Sequence, residues 1–333
     1  MIWWLPLHPD WQLNGAVLLL AIALDALLPE PPNALHPVVW MGKVIAALER
    51  LADGRGDTAS FLIGAMMAIV VPALFCGAAW LAVIGLREIG DMPYLRDIAY
   101  LRDLPYLLGS AILLKTTFAV RGLGRAARDT QRSIEGDDVD EARHSLRSLV
   151  SRDAATLSEP LVAAAAIESV AENTTDSYIA PWLVFALLGV PGAFVYRAAN
   201  TLDSMVGYRG KYEYLGKASA RIDDLLNLIP ARISAILLII AGALSGHNVA
   251  QGCRTAWQQR RLTDSPNAGW TIAATAGLLG VALEKPDHYR IGSAYREPTA
   301  PDISRTVNLA YIVAALGAAV AVGVMALFAA VAG

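Results

Sequence analysis

The chain has 333 residues, a formal net charge of −3, only 17% charged residues and a mean hydropathy of +0.44. Soluble domains carry about a quarter charged residues, so this balance excludes an ordinary soluble domain and predicts a membrane protein. The small net charge gives no reason to expect nucleic acid. Two cysteines in or near apolar segments, Cys76 and Cys253, fit neither a disulfide framework nor a metal knuckle.

In chain order, Trp3, Trp4 and Trp11 suit an interfacial belt ahead of Trp11–Leu28, which is apolar apart from Asn14 and Asp25. No Lys or Arg precedes Lys43, so the basic region of a cleavable signal peptide is missing. His36, in NALHPVVWMGKVI, reads either as a site residue or as the start of a helix with Pro37. Ala59–Leu86 and Val307–Gly333 hold no charged residue, and each exceeds the roughly 20 residues that cross a hydrocarbon core as a helix. Between them, Asp91–Leu104 repeats itself (MPYLRDIAYLRDLPYLL) and reads as a surface excursion, and Lys115 interrupts the apolar run 104–120.

Residues 121–155 alternate arginines and carboxylates with apolar residues, which predicts an amphipathic helical hairpin around a turn at 136–138, lying at the membrane surface or projecting into the cytoplasm. Ser177–Tyr196 is uncharged but carries Pro181, Gly189, Pro191 and Gly192, and Ile233–Cys253 fades into polar residues after Leu244. TDSPNAGW (263–270), an apolar helix-like run to Leu283, and EKPDHYRIG (284–292) complete the sequence before the last span.

The expectation is an all-α, polytopic integral membrane bundle forming one domain over 1–333. Six spans, at 11–28, 59–86, 104–120, 177–196, 233–253 and 307–333, put most Lys and Arg into the connections 29–58, 121–176 and 254–306, which the positive-inside rule places in the cytoplasm. That topology separates the polar clusters 168–176 and 200–232. For the two to form one site, Ser177–Tyr196 must be re-entrant or broken, which is tolerated where backbone is buried or lines a cavity.

Those clusters carry the chemistry. Glu168, Glu172 and Asp176 are spaced i, i+4, i+8, within about 80° of one another on a helix, so three carboxylates share a face. Carboxylates plus phosphate oxygens are the usual way to hold Mg²⁺. The alternative is helix capping and pairing with the arginines of 121–152. Arg197, Arg209, Lys211, Lys217, Arg221 and Arg232 suit phosphates or carboxylates, and Asp203, Asp223 and Asp224 suit a metal or a proton. No Walker A loop, GxSxG elbow, HExxH or CxxC is present.

Six strings then converge on one family: HPVVWMGKVI (36–45), RDAATLSE (152–159), IESVAENTTDSYIAPW (167–182), GVPGAFVYRAANTLDSMVGY (189–208), YEYLGKASARIDDLLNLIPARI (212–233) and SPNAGW (265–270). In order and over roughly residues 14 to 292, the chain resembles the adenosylcobinamide-phosphate synthases, the CbiB/CobD-type membrane proteins of cobalamin biosynthesis. The resemblance implies an amide ligase of the bacterial inner membrane, with several spans. It would join the propionate carboxyl of adenosylcobyric acid to (R)-1-amino-2-propanol or its O-phosphate, using ATP and Mg²⁺. The site would occupy 168–232 plus 263–270.

In that reading Glu168, Glu172 and Asp176 ligate Mg²⁺-nucleotide, assisted by Asp203 and by Asp223 or Asp224. Arg152, Arg197, Arg209, Lys211, Arg221 and Arg232 hold phosphates or the corrinoid carboxylate, and Asn173, Asn200, Asn227 and Asn267 bond the corrinoid amides. The bilayer, a second copy of the chain or other cobalamin-assembly membrane proteins are the expected partners. A corrinoid carrier without ligase activity, or a regulatory relative akin to the ampicillin-resistance regulators, remains the rival.

Overall fold

The computed structural model describes residues 11–150, 154–208, 210 and 212–332. Trp3, Trp4, Arg152, Arg209 and Lys211 lie outside the described residues. The rest is almost wholly helical. The helices are α1 (Trp11–Leu27), α2 (Pro37–Glu49), α3 (Asp57–Gly90), α4 (Pro93–Arg96), α5 (Ala99–Lys115), α6 (Val120–Glu135), α7 (Val139–Leu146) and α8 (Glu159–Thr174). They continue with α9 (Ala180–Val206), α10 (Lys217–Leu226), α11 (Leu228–Leu244), α12 (Val249–Gln259) and α13 (Ala268–Leu279). An antiparallel hairpin of β1 (Leu283–Lys285) and β2 (Tyr289–Ile291) precedes α14 (Ala300–Ala332).

Among the described residues, four helical stretches are long and apolar enough to cross a membrane: Asp57–Gly90, Tyr100–Glu135, Glu159–Val206 and Ala300–Val331. The pair α10 and α11, bent by 49°, makes a fifth if counted as one span. The chain is therefore an all-α, multi-pass membrane protein. Large apolar side chains stand exposed along α3 (Leu62, Ile69, Leu74, Leu81) and α14 (Leu327, Val331). Water would not tolerate such faces, and lipid does. The Glu159–Val206 stretch is the reverse: 72% of its most apolar window is buried in protein, against 33% for α3 and α14.

The expected spans shift at their edges. The span expected at 11–28 is the helix Trp11–Leu27 among the described residues. The run 104–120 ends as α5 at Lys115, where the Thr116 and Thr117 hydroxyls donate back to the Leu113 and Leu114 carbonyls, both at 2.7 Å, and compete with the backbone ladder. The span expected at 233–253 begins at Leu228 and ends at Leu244, beyond which Gly246 (φ 73°) turns the chain into α12.

The chain divides into two compact units. The first comprises Met1–Ala119, Ala180–Leu226 and Ala318–Gly333. In it α3 packs along both α5 and α9, α1 lies on α5, and α10 fits against α3 and α9. Buried Asn14 of α1 accepts the Tyr106 hydroxyl of α5 at 2.7 Å, satisfying two polar groups inside the apolar layer. The α3–α4–α5 turn closes tightly: a Cβ on Gly90 would lie 2.1 Å from the Arg102 carbonyl, and Arg102 pairs with Asp91 at 2.8 Å. Asp91–Leu104 is thus the corner between two long helices.

The second unit comprises Val120–Ile179 and Asn227–Gly317. Its core is the alanine-rich α8, against which α6, α7, α13 and β1 pack. Asp137 (φ 57°) turns α6 into α7, and Asp138 caps α7 by accepting the Glu141 N–H at 2.9 Å. Asp302, fully buried in the first turn of α14, accepts from the Thr299 N–H and hydroxyl and from Arg296 on both oxygens. That is the acidic half of a capping box, closed by an arginine fork.

Candidate functional site

In the first unit the polar groups gather at the end of α5. Lys115 is 5% exposed, a cost that only a counter-ion can offset among apolar neighbours. Its ammonium lies 2.8 Å from Glu30, which also faces His36 Nε2 at 3.4 Å. His36 is the N-cap of α2: its Nδ1 accepts the Val38 N–H at 3.2 Å, and Pro37 opens the helix. An accepting Nδ1 leaves the ring proton on Nε2, toward Glu30. Burial alone would raise the Glu30 carboxyl, but hydrogen bonds from His36 and Lys115 outweigh it and hold the group below its ordinary value of 4.5.

Two residues beyond Lys115, the Thr117 carbonyl accepts Arg197 Nε at 2.5 Å. Arg197 Nη1 donates to Asn200 Oδ1 at 3.2 Å, and Asn200 Nδ2 donates to Asp223 Oδ1 at 3.3 Å. A relay thus runs from the end of α5 through α9 to α10. Asn200 is buried, while Arg197, Asp203, Asp223 and Asp224 are half-buried and Arg221 is exposed. Glycines permit the approach. A Cβ on Gly207 would lie 2.0 Å from Asp203 Oδ1, and one on Gly216 would lie 1.8 Å from the Val206 carbonyl. Phe118 stacks edge-on against Trp182 at 5.3 Å and fixes the same corner.

The helix interruption between Ser177 and Tyr196 sits at Gly189 (φ 65°, ψ −164°), a conformation open to glycine and strained for other residues. Pro191 then restarts the helix. Pro181 leaves the helix unbroken but acts upstream. It offers no N–H to the Ser177 carbonyl and crowds it, and residues Thr175–Ile179 widen into a π-turn.

That π-turn changes the carboxylate face in the second unit. Glu168 is buried, whereas Glu172, Asn173, Asp176 and Ser177 are half-buried, the accessible polar strip of an otherwise buried helix. Asp176 lies in the widened turn, so the straight-helix spacing expected for all three carboxylates does not hold through it. Asn173 spends its side chain locally, donating to the Ser169 carbonyl at 2.9 Å and accepting the Ser177 hydroxyl at 2.8 Å. Among the described residues no group of three or more His, Cys, Asp or Glu is placed to hold a metal ion by itself. The hard oxygens of Glu172 and Asp176 fit the sparser Mg²⁺ mode, one or two carboxylates with water and substrate phosphate.

The second unit also holds an arginine–tryptophan cluster. Arg232 donates to Asn267 Oδ1 at 2.5 Å and to the Leu228 carbonyl at 2.7 Å. Its guanidinium lies 5.4 Å from the centre of the Trp270 ring, and that of Arg260 lies 4.6 Å from it. Arg260 also covers Trp257 at 4.2 Å. SPNAGW builds this corner. Ser265 Oγ accepts the Asn267 and Ala268 N–H groups, and a Cβ on Gly269 would lie 2.0 Å from the Arg260 carbonyl. Asn227 is buried at the head of α11. Glu30, Lys115, Arg260, Trp257 and Trp270 join the site without being among the residues expected to carry it. The available signals were a lysine inside an apolar run and a tryptophan closing a quoted motif.

Fold and site together define a multi-pass helical membrane protein with charged and amide side chains tied together at its helix ends. The chain belongs to the CobD/CbiB family, whose model, described as CobD/Cbib protein, matches residues 18–319. It is 42% identical over 309 residues to the cobalamin biosynthesis protein CobD of Dehalococcoides mccartyi, covering 93% of this chain and 96% of that one. To the protein of the same description from Klebsiella pneumoniae it is 38% identical over 312 residues (90% and 94% covered). To the cobalamin biosynthesis protein CbiB of Salmonella choleraesuis it is 36% identical over 314 residues (90% and 94%). No solved structure matches the chain.

Proposed function

We propose that this protein acts in cobalamin biosynthesis as an ATP-dependent ligase of the inner membrane. It would join adenosylcobyric acid, through its propionate carboxyl, to (R)-1-amino-2-propanol or its O-phosphate. The observation that carries the reading is the family match across residues 18–319, over relatives named for cobalamin biosynthesis.

A carboxylate does not form an amide unaided. Transfer of the terminal phosphoryl group of ATP to a propionate oxygen releases ADP and leaves an acyl phosphate. The amine nitrogen then attacks the carbonyl carbon, the C–N bond forms, phosphate departs and the amine proton passes to a base. Charge develops on the transferring phosphoryl group, so fixed cations dominate the catalysis. Glu172 and Asp176, together with Glu168, would hold Mg²⁺, which would supply positive charge to the phosphate oxygens. In the first unit Arg197, held by Thr117 and Asn200, presents a guanidinium of set orientation. Asp203, Asp223 and Asp224 are the carboxylates available there to take a proton, and Arg209, Lys211 and Arg221 would add phosphate contacts.

The test is to incubate the purified protein with adenosylcobyric acid, aminopropanol phosphate or aminopropanol, ATP and Mg²⁺, and to seek the amide by mass spectrometry. Amide formation dependent on ATP is expected. Corrinoid binding without product would instead favour a carrier.

A further inference from the structure

Arg232 and Arg260 share one indole. Their guanidinium carbons lie 5.4 and 4.6 Å from the Trp270 ring centre, so two like charges are held against one ring. Neither has a carboxylate partner among the described residues. Arg232 gives its hydrogen bonds to the Leu228 carbonyl and Asn267, and Arg260 donates to the Trp257 carbonyl. The acid nearest Arg260 in sequence, Asp264, pairs with His288 at 3.1 Å. Residues 249–262 add Arg254 and Arg261 and contain no Asp or Glu, and α11 and α13 contain none either. Repulsion between partly buried guanidinium groups opposes this arrangement unless an anion joins it.

The corner is rigid, because Gly269 admits close backbone contact with Arg260 and Asn267 is buried against Arg232. The twelve-residue α13 starts at Ala268 beside the pair and directs the positive end of its dipole there. Two formal charges plus a helix terminus match a dianion better than a single carboxylate or a phosphodiester. A phosphomonoester, or the terminal group of a polyphosphate, carries about two negative charges near neutral pH. Arginine forks fit its oxygens in pairs.

We infer that Arg232 and Arg260, braced on Trp270, form a binding site for a dianionic phosphoryl group. Only the identity of the natural ligand, ATP or an amino-alcohol phosphate, rests on the ligase reading above; the binding itself does not.

The experiment uses the full chain in phosphatidylcholine nanodiscs. Sodium phosphate and sodium pyrophosphate are titrated against sodium chloride of matched ionic strength, with melting temperature and calorimetric heat as readouts. Saturable stabilisation is expected, with affinity falling at least ten-fold in Arg260→Gln and in Arg232→Gln and unchanged in the exposed-site control Arg125→Gln. Arg232 also ties α11 to Asn267, so Arg260→Gln carries the test if Arg232→Gln fails to fold. No saturable response in the wild type, or one that survives in Arg260→Gln, overturns the inference. So does stabilisation by phosphatidylglycerol nanodiscs alone, since that makes the ligand a lipid phosphodiester. Phosphate binding without amide synthesis would sink the ligase reading and leave this site standing. Amide synthesis with wild-type phosphate affinity in Arg260→Gln would do the reverse.

Discussion

Lys115 Nζ lies 2.8 Å from Glu30 Oε2, with the lysine side chain 6% exposed and the glutamate 39%. The lysine brings its charge into the protein on an apolar helix, and the glutamate meets it from the loop after α1. Removing the glutamate charge therefore costs more than removing the lysine's. Glu30→Gln strands a buried ammonium and should destabilise by about 1–3 kcal/mol, between the values for exposed and fully buried pairs. Lys115→Met, apolar and similar in length, should cost less. Thermal unfolding in one detergent, with the two variants ranked, checks this; the opposite order would refute it.

The same pair sets an acid limit. The folded-state Glu30 carboxyl is held below 4.5, so its ionised form stabilises the fold. That contribution is complete above the ordinary carboxylate value and is lost as pH falls through the lower folded-state value. Melting temperature should drop more steeply with acid in the wild type than in Glu30→Gln, the two curves converging at low pH. Parallel curves would show that Glu30 does not contribute.

Gly189 separates the two halves of α9 at φ 65°. Gly189→Ala should cost about 1–3 kcal/mol through backbone strain. Gly323→Ala, in α14 with nothing within 4 Å of an added Cβ, should be neutral or stabilising by up to about 1 kcal/mol. Paired melting curves decide, and an unchanged Gly189→Ala would refute the strained break.

Asp302 is 0% exposed and accepts Arg296, Arg305 and the start of α14. Asp302→Asn keeps the shape but loses the charge and offers N–H groups where donors already point. A loss of about 2–4 kcal/mol is expected, measured by thermal unfolding against Arg305→Gln, whose guanidinium is exposed and whose loss should cost under about 1 kcal/mol.

Glu172→Gln and Asp176→Asn should each lower the proposed amide synthesis at least about a hundred-fold by weakening the hold on Mg²⁺, whose charge would offset that of the phosphates, with melting temperature within a few degrees of the wild type. Turnover at the wild-type rate in both variants would remove these carboxylates from the reaction.

Much of the architecture was legible along the chain. Charge-free runs marked α3 and α14, and alternating arginines and apolar residues marked α6 and α7 around the 136–138 turn. The Gly189–Pro191 breaker marked the kink. The misplaced edges have local causes that hydropathy does not register: threonine hydroxyls bonding back to carbonyls after Lys115, and Gly246 ending α11. Even spacing of Glu168, Glu172 and Asp176 assumed a straight helix, and Pro181 widened it. Asn173 and His36 are each absorbed by near neighbours, as a helix brace and a helix cap.

The sequence by itself determined a polytopic helical membrane protein of the CobD/CbiB family, because hydropathy adds up residue by residue and motifs are contiguous strings. Only the tertiary structure decided which charges meet. Lys115 finds Glu30, Arg197 finds Thr117 and reaches Asp223 through Asn200, and Arg232 and Arg260 come to one indole. Each meeting joins positions far apart in the chain, and its energy depends on burial and distance, which exist only once the helices have packed.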